Sequence, residues 1–244
     1  MPSPSHCPVP EHSRKWLDEA FPLLIDMFGE ENIRTRKVLL PIPADFPIRY
    51  NGLIQTAWDT MHIVAAQMET TPEDIQLELY DDGKSSIDSG SPFGRNISLA
   101  TYKNIGASAG LYLGRQEDDK YHIWLEKRSL TDPETLVAVL AHEIAHIKLL
   151  GDGRLEKNDE MLTDLTTVVF GLGIFNANES FKEYKGFDGW GYSRKGYLQQ
   201  REWGYALALF ARLRNEKDPA WTKYLTPNIR SDFSKSQAYL ERNG

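Results

Sequence analysis

The sequence is poor in several features that would each narrow its role. It holds one cysteine, Cys7, among 244 residues, too few for a disulfide framework and in keeping with a reducing compartment. No block of Lys and Arg occurs, and the net charge is −7. A polybasic membrane patch and a surface that wraps nucleic acid are therefore not expected. No apolar run approaches the length of a membrane span, and the Pro-rich leader "MPSPSHCPVPEH" lacks the apolar core of a signal peptide. The expected setting is cytoplasmic, with no nucleic-acid and no membrane partner. No repeat or linker divides the chain, and nothing in the pattern fixes an oligomeric state.

What is present suits a soluble globular protein: 41% apolar and 26% charged residues, in a length that can bury a core without staples. Residues 1–10 read as a flexible leader and 11–244 as a single domain. Within it, 11–130 is a helix-and-sheet portion and 131–244 a metal-binding, mostly helical portion.

Helical spacing runs through "HSRKWLDEAFPLLIDMFG", with Gly29 as its stop, and through "NGLIQTAWDTMHIVAAQME". His62 in the second helix is expected to pack rather than ligate. "RKVLLPIP" predicts a short strand ended by its prolines, and Ile75–Tyr80 a second one. "DDGKSSIDSGSPFGRN" predicts a loop, long enough over Asp82–Asn96 to act as a lid. "AGLYLGRQEDDKYHIWLEKRSL" predicts a hairpin turning at "QEDD". In its second run Tyr121, Ile123 and Leu125 alternate with His122, Trp124 and Glu126, which predicts one covered face and one partly open face. Thr131 and Glu134 form a capping box for the next helix, with Pro133 in its first turn. "EMLTDLTTVVFGLGIF" predicts a further helix capped by Asn158 or Asp159. A Gly/aromatic loop, "GFDGWGYSRKGY", then precedes the helix "LQQREWGYALALFARLRNEKD", and a short helix starts at Ser231. The order of elements is that of an α+β fold, a small mixed or antiparallel sheet followed by a helical half.

One helix carries chemistry. "LVAVLAHEIAHIKLLGDG" is apolar almost throughout, yet His142, Glu143 and His146 stand in its middle. His142 and His146 are four apart, so a helix places them on one face where both imidazoles can reach one ion. Glu143 lies about 100° around the axis, out of reach as a third equivalent ligand but able to act on a water at an open coordination position. Catalytic zinc needs a third protein ligand and an open fourth position. No histidine follows His146, so a third histidine downstream on the H-x-x-G-x-x-H pattern is absent and downstream carboxylates come into view. Asp152, Glu156, Asp159, Glu160 and Asp164 are the candidates; Asp152 would require the helix to break early.

The pair "HEIAH" and "EMLTD" resembles the H-E-x-x-H and E-x-x-x-D of the gluzincins, the thermolysin-like zinc metallopeptidases. The resemblance implies a zincin-like fold and His142, His146 and Glu160 as zinc ligands. It also implies that Asp164 holds a ligand histidine by its other ring nitrogen and that Glu143 is the general base of peptide-bond hydrolysis. Tyr192, Tyr197 and His122 become candidates to stabilise the oxyanion. The strand with His122 and Trp124 becomes the platform on which a peptide or protein substrate would pair. One departure is plain: 13 residues separate His146 from Glu160, a tighter connection than these enzymes usually have. Beyond this region, "LPIPADFP", "LELYDDG", "LTDLTTVVFGLGIFNAN" and "EWGYALALFA" resemble a family of bacterial proteins carrying the same H-E-x-x-H. A catalytically inactive zincin scaffold and a hydrolase of non-peptide amides are the alternatives.

Overall fold

Residues 6–81, 84–88, 109–180, 182–186, 189–193 and 197–243 are described in a computed structural model of the chain. Two compact units emerge, Ile42–Asn158 and Met1–Pro41 with Asp159–Gly244.

The Ile42–Asn158 unit is built on helix α3 (Ile54–Gln67), strands β1 (Ile75–Asp81), β2 (Lys84–Asp88), β3 (Gly110–Arg115) and β4 (Tyr121–Glu126), and helix α4 (Pro133–His146). Ala57, Met61, Val64 and Ala65 of α3 are buried at helical spacing, and α3 packs on α4. His62 is exposed rather than packed. The strands form one sheet in the order β2-β1-β4-β3. β1 and β4 run parallel in register from Ile75↔Tyr121 to Tyr80↔Glu126, whereas β1–β2 and β3–β4 are antiparallel.

Two expectations change here. Part of the long loop, Lys84–Asp88, is strand β2; the remainder of the lid stretch lies outside the described residues. In β4 every residue except His122 is buried, so the alternation reports the two sides of an interior strand, both covered. The turn at "QEDD" is closed by Gln116 N–H donating to Lys120 O at 2.8 Å, as the hairpin pattern predicts.

α4 is apolar all round because it is buried all round: Thr135–Ala141 and Glu143–His146 are all buried. Its cap is Asp132, not Thr131. The Asp132 side chain accepts the N–H of Glu134 at 2.9 Å and of Thr135 at 3.0 Å. Thr131 instead turns its hydroxyl back to Arg128 O at 2.7 Å. Beyond His146 the helix widens into a π-helical turn, Ile147–Gly151, with Asp152 N–H donating to Ile147 O at 2.8 Å. Such turns recur at functional sites.

The other unit holds α1 (Glu11–Phe28), α2 (Glu30–Thr35), α5 (Glu160–Val169), α6 (Gly173–Glu179), α7 (Gln200–Leu213) and α8 (Pro227–Asn243), with a two-stranded ribbon of β5 (Lys182–Gly186) and β6 (Gly189–Ser193). α7 packs on α8 and α1 on α7. "RKVLLPIP" is not a strand: Leu39 N–H donates to Gly171 O at 3.0 Å, and Pro41 and Pro43 bring no N–H to extend a ladder. The helix expected over "EMLTDLTTVVFGLGIF" is two helices, broken where Gly171 takes φ +75°. The Gly/aromatic stretch contains β6, whose partner β5 ends at the first glycine of that stretch, Gly186, and the last helix begins at Pro227, earlier than Ser231.

The described residues are thus mixed α and β, mostly helical, with a small sheet. None of their helices is long and apolar enough to cross a membrane.

Candidate metal centre

α4 sets the first part of the centre. The ring centroids of His142 and His146 stand 4.9 Å apart and edge to face at 87°. This is what a four-residue spacing on one helical face produces. His142 is half-buried, while His146 is 5% exposed and Glu143 4%. A buried carboxylate and imidazole in an apolar helix are costly unless they are compensated.

α5 begins at Glu160, directly after its cap Asp159, whose side chain accepts Leu162 N–H at 3.0 Å. A carboxylate in this first turn also suits the helix dipole. Each of His142, His146 and Glu160 offers one donor atom, and the three atoms lie within 4.8 Å of one another. Ligands on a tetrahedral zinc with bonds of about 2.0–2.2 Å stand about 3.4 Å apart, somewhat closer than this limit. Two imidazoles and a carboxylate are a donor set that zinc accepts in catalytic sites. The residues therefore fit the ion.

Asp152 pairs with Lys148 Nζ at 3.1 Å and with Arg154, and this cation pair compensates its charge. Glu156 is exposed, and Asp159 is occupied in the cap. Asp164 is 1% exposed. Its Oδ2 accepts the backbone N–H of Tyr197 at 2.7 Å and of Leu198 at 2.9 Å, tying α5 to the chain that enters α7.

The candidates for oxyanion and substrate contacts are distributed. Tyr197 is 53% exposed, with its backbone fixed by Asp164. Tyr192 stands on β6 opposite Glu183, and its side chain lies outside the described residues. His122 and Trp124 belong to the sheet face turned away from α4. There Trp124 Nε1 donates to Glu78 at 2.5 Å, and His122 Nε2 meets Asp118 at 3.0 Å. β4 is also an interior strand, hydrogen-bonded to β1 and β3. A peptide cannot add to it, because both of its edges already carry ladder bonds. The platform expected at His122 and Trp124 is therefore corrected: among the described residues the edge nearest α4 is β3.

β3 supplies two residues that the sequence pattern did not single out. Tyr112 stacks on His146, with centroids 5.7 Å apart and planes 12° apart. Burial foremost, with Tyr121 and Asp152 nearby, pushes the Tyr112 hydroxyl up to about 12. At Gly110 a Cβ would stand 2.6 Å from Glu143 Oε1 and 2.6 Å from Val139 Cγ1, so a side chain there would force Glu143 or Val139 to shift. The available signal was parity: Tyr112 alternates with Leu111 and Leu113, which pack with Trp124 and Tyr80 on the far face.

Comparison with protein-family models, with curated proteins and with solved structures gave no match.

Proposed function

We propose that the chain is a zinc-dependent hydrolase, a metallopeptidase of the gluzincin type on a zincin-like fold, bacterial and cytoplasmic. The observation that carries this reading is the approach of donor atoms from His142, His146 and Glu160 to within 4.8 Å of one another, with Glu143 buried on the same helix. A single cysteine agrees with a reducing setting.

Zinc held by these three residues would polarise a scissile carbonyl and lower the pKa of a water molecule to about 7. Glu143 takes a proton from the attacking water on its carboxylate and passes it to the departing amine. An extended peptide pairs along β3, the edge strand beside α4, by adding a strand to the sheet. Tyr197, anchored through Asp164, is the candidate to donate to the oxyanion.

The second reading is a zincin scaffold without turnover. The 4% exposure of Glu143 favours it, since a base sealed from water cannot act. One experiment separates the two. The chain is stripped of metal, reloaded with zinc and incubated with a peptide library, and cleavage is read by mass spectrometry for the wild type and Glu143→Gln. Cleavage by the wild type that disappears in the variant supports the peptidase. Cleavage at equal rates removes Glu143 as the base, and no cleavage by the zinc-loaded wild type leaves the scaffold.

A further inference from the structure

β3 meets α4 at two consecutive inward positions, and each touches a different part of the metal centre. Gly110 and Tyr112 are two apart on the strand and so share a face, about 6.6 Å from one to the other. Glu143 and His146 are three apart on the helix, about 4.5 Å along its axis. The strand thus presents one position to each. Gly110 admits Glu143 Oε1 where any Cβ would collide with it, and the Tyr112 ring lies nearly parallel to that of His146.

We propose that β3 sets the geometry of the centre, with Tyr112 as positioning residue for His146 and Gly110 as positioning residue for Glu143; this rests on the zinc reading above. The second torsion of histidine is broad and soft, so an imidazole needs an outside constraint to keep its donor nitrogen aimed. Ligand histidines commonly receive that constraint through a hydrogen bond to the other ring nitrogen. For His146 an aromatic plane against the ring face adds a restriction on the same rotation, whatever its ring nitrogens meet. Phenylalanine would serve as well as tyrosine, because the face and not the hydroxyl makes the contact. At Gly110 the constraint is an absence: the missing side chain leaves the space that the carboxylate fills.

The test uses the full chain as wild type, Tyr112→Phe, Tyr112→Leu and Gly110→Ala. Zinc affinity is measured by competition with a chromogenic chelator, and cobalt is substituted to record the absorption of the centre. Tyr112→Phe should keep wild-type affinity. Tyr112→Leu should bind zinc about tenfold more weakly, the lower end of what outer-shell changes cost, with unchanged circular dichroism and displaced cobalt bands. Gly110→Ala should keep zinc but lower kcat without raising KM. Wild-type zinc affinity in Tyr112→Leu overturns the inference.

Should Tyr112→Leu fail to fold, ring-labelled tyrosine in the wild type gives the second measurement. Zinc should shift the resonances that vanish in Tyr112→Phe, and no shift there overturns the inference. A wild type that takes up no zinc overturns the parent reading as well. A wild type that binds while Tyr112→Leu binds equally overturns this inference alone.

Discussion

On the far face of the β2-β1-β4-β3 sheet, Glu78, His122 and Trp124 find partners within the sheet and its hairpin. Trp124 donates to Glu78, and His122 meets Asp118. On the near face the strands offer Ile75, Leu77, Ile123 and Leu125, all buried and apolar. The polar chemistry there comes from α4, which brings Glu143 against Gly110 and His146 against Tyr112. The same residue types thus have two fates. Where strand neighbours satisfy them they are structure; where their donor atoms converge on one point they can hold an ion.

Substitutions on the two faces should therefore separate stability from chemistry. The largest effect is expected at Glu143→Gln, which should lower kcat on a cleaved peptide about a thousandfold, within the range general bases contribute, while zinc content is unchanged. Trp124, on the other face and fully buried, should do the reverse. Trp124→Ala should cost about 3–5 kcal/mol in urea unfolding and leave zinc affinity at the wild-type value. A loss of zinc in that variant would erase the distinction between the faces.

Gly110→Ala falls between them, since it forces a Cβ against Glu143 and Val139. It should destabilise by about 1–3 kcal/mol, the usual cost of overpacking, in the same urea assay. His122→Ala should cost about 0.5–1.5 kcal/mol, as for an ordinary hydrogen bond, with peptide turnover unchanged. A large loss of turnover there would return His122 to the oxyanion role.

The smallest effect lies off both faces, at Tyr50, whose hydroxyl donates to Leu130 O at 2.7 Å. Burial foremost, then Asp132, pushes Tyr50 from 10.0 up to about 12. Its folded value is the higher one, so above pH 10 the unfolded chain loses this proton first. The contribution of Tyr50 is whole below pH 10 and is lost as the pH rises through about 12. Melting temperatures across that window should fall less steeply for Tyr50→Phe than for the wild type.

The pairing of His142 with His146 was legible because four residues return a helix to the same face whatever surrounds it. The β3–β4 hairpin was legible for a similar local reason, its "QEDD" turn and the strand-forming runs beside it. Period-two alternation separates His122 and Trp124 from Tyr121 and Ile123, but it does not say which set meets a helix. The expectation of a platform on β4 fails because β4 is an interior strand. Tyr112 and Gly110 gain their importance from how β3 registers against α4; parity sets them on one face of the strand, but only the tertiary packing makes that face the one beside His146 and Glu143. The π-helical turn at the start of "IKLLGDGRLEKND" is likewise one that no periodicity announces. The cap at Asp132 and the break at Gly171 are smaller cases: two adjacent residues both suited to capping, and a glycine inside an apolar run.

The most direct measurement is a zinc titration of the metal-stripped chain by calorimetry, run beside Glu160→Ala, His146→Ala and Glu143→Gln. One equivalent should bind to the wild type and to Glu143→Gln, and that binding should be lost from Glu160→Ala and His146→Ala. Undiminished binding in Glu160→Ala, or no binding to the wild type, would contradict a zinc centre made of His142, His146 and Glu160.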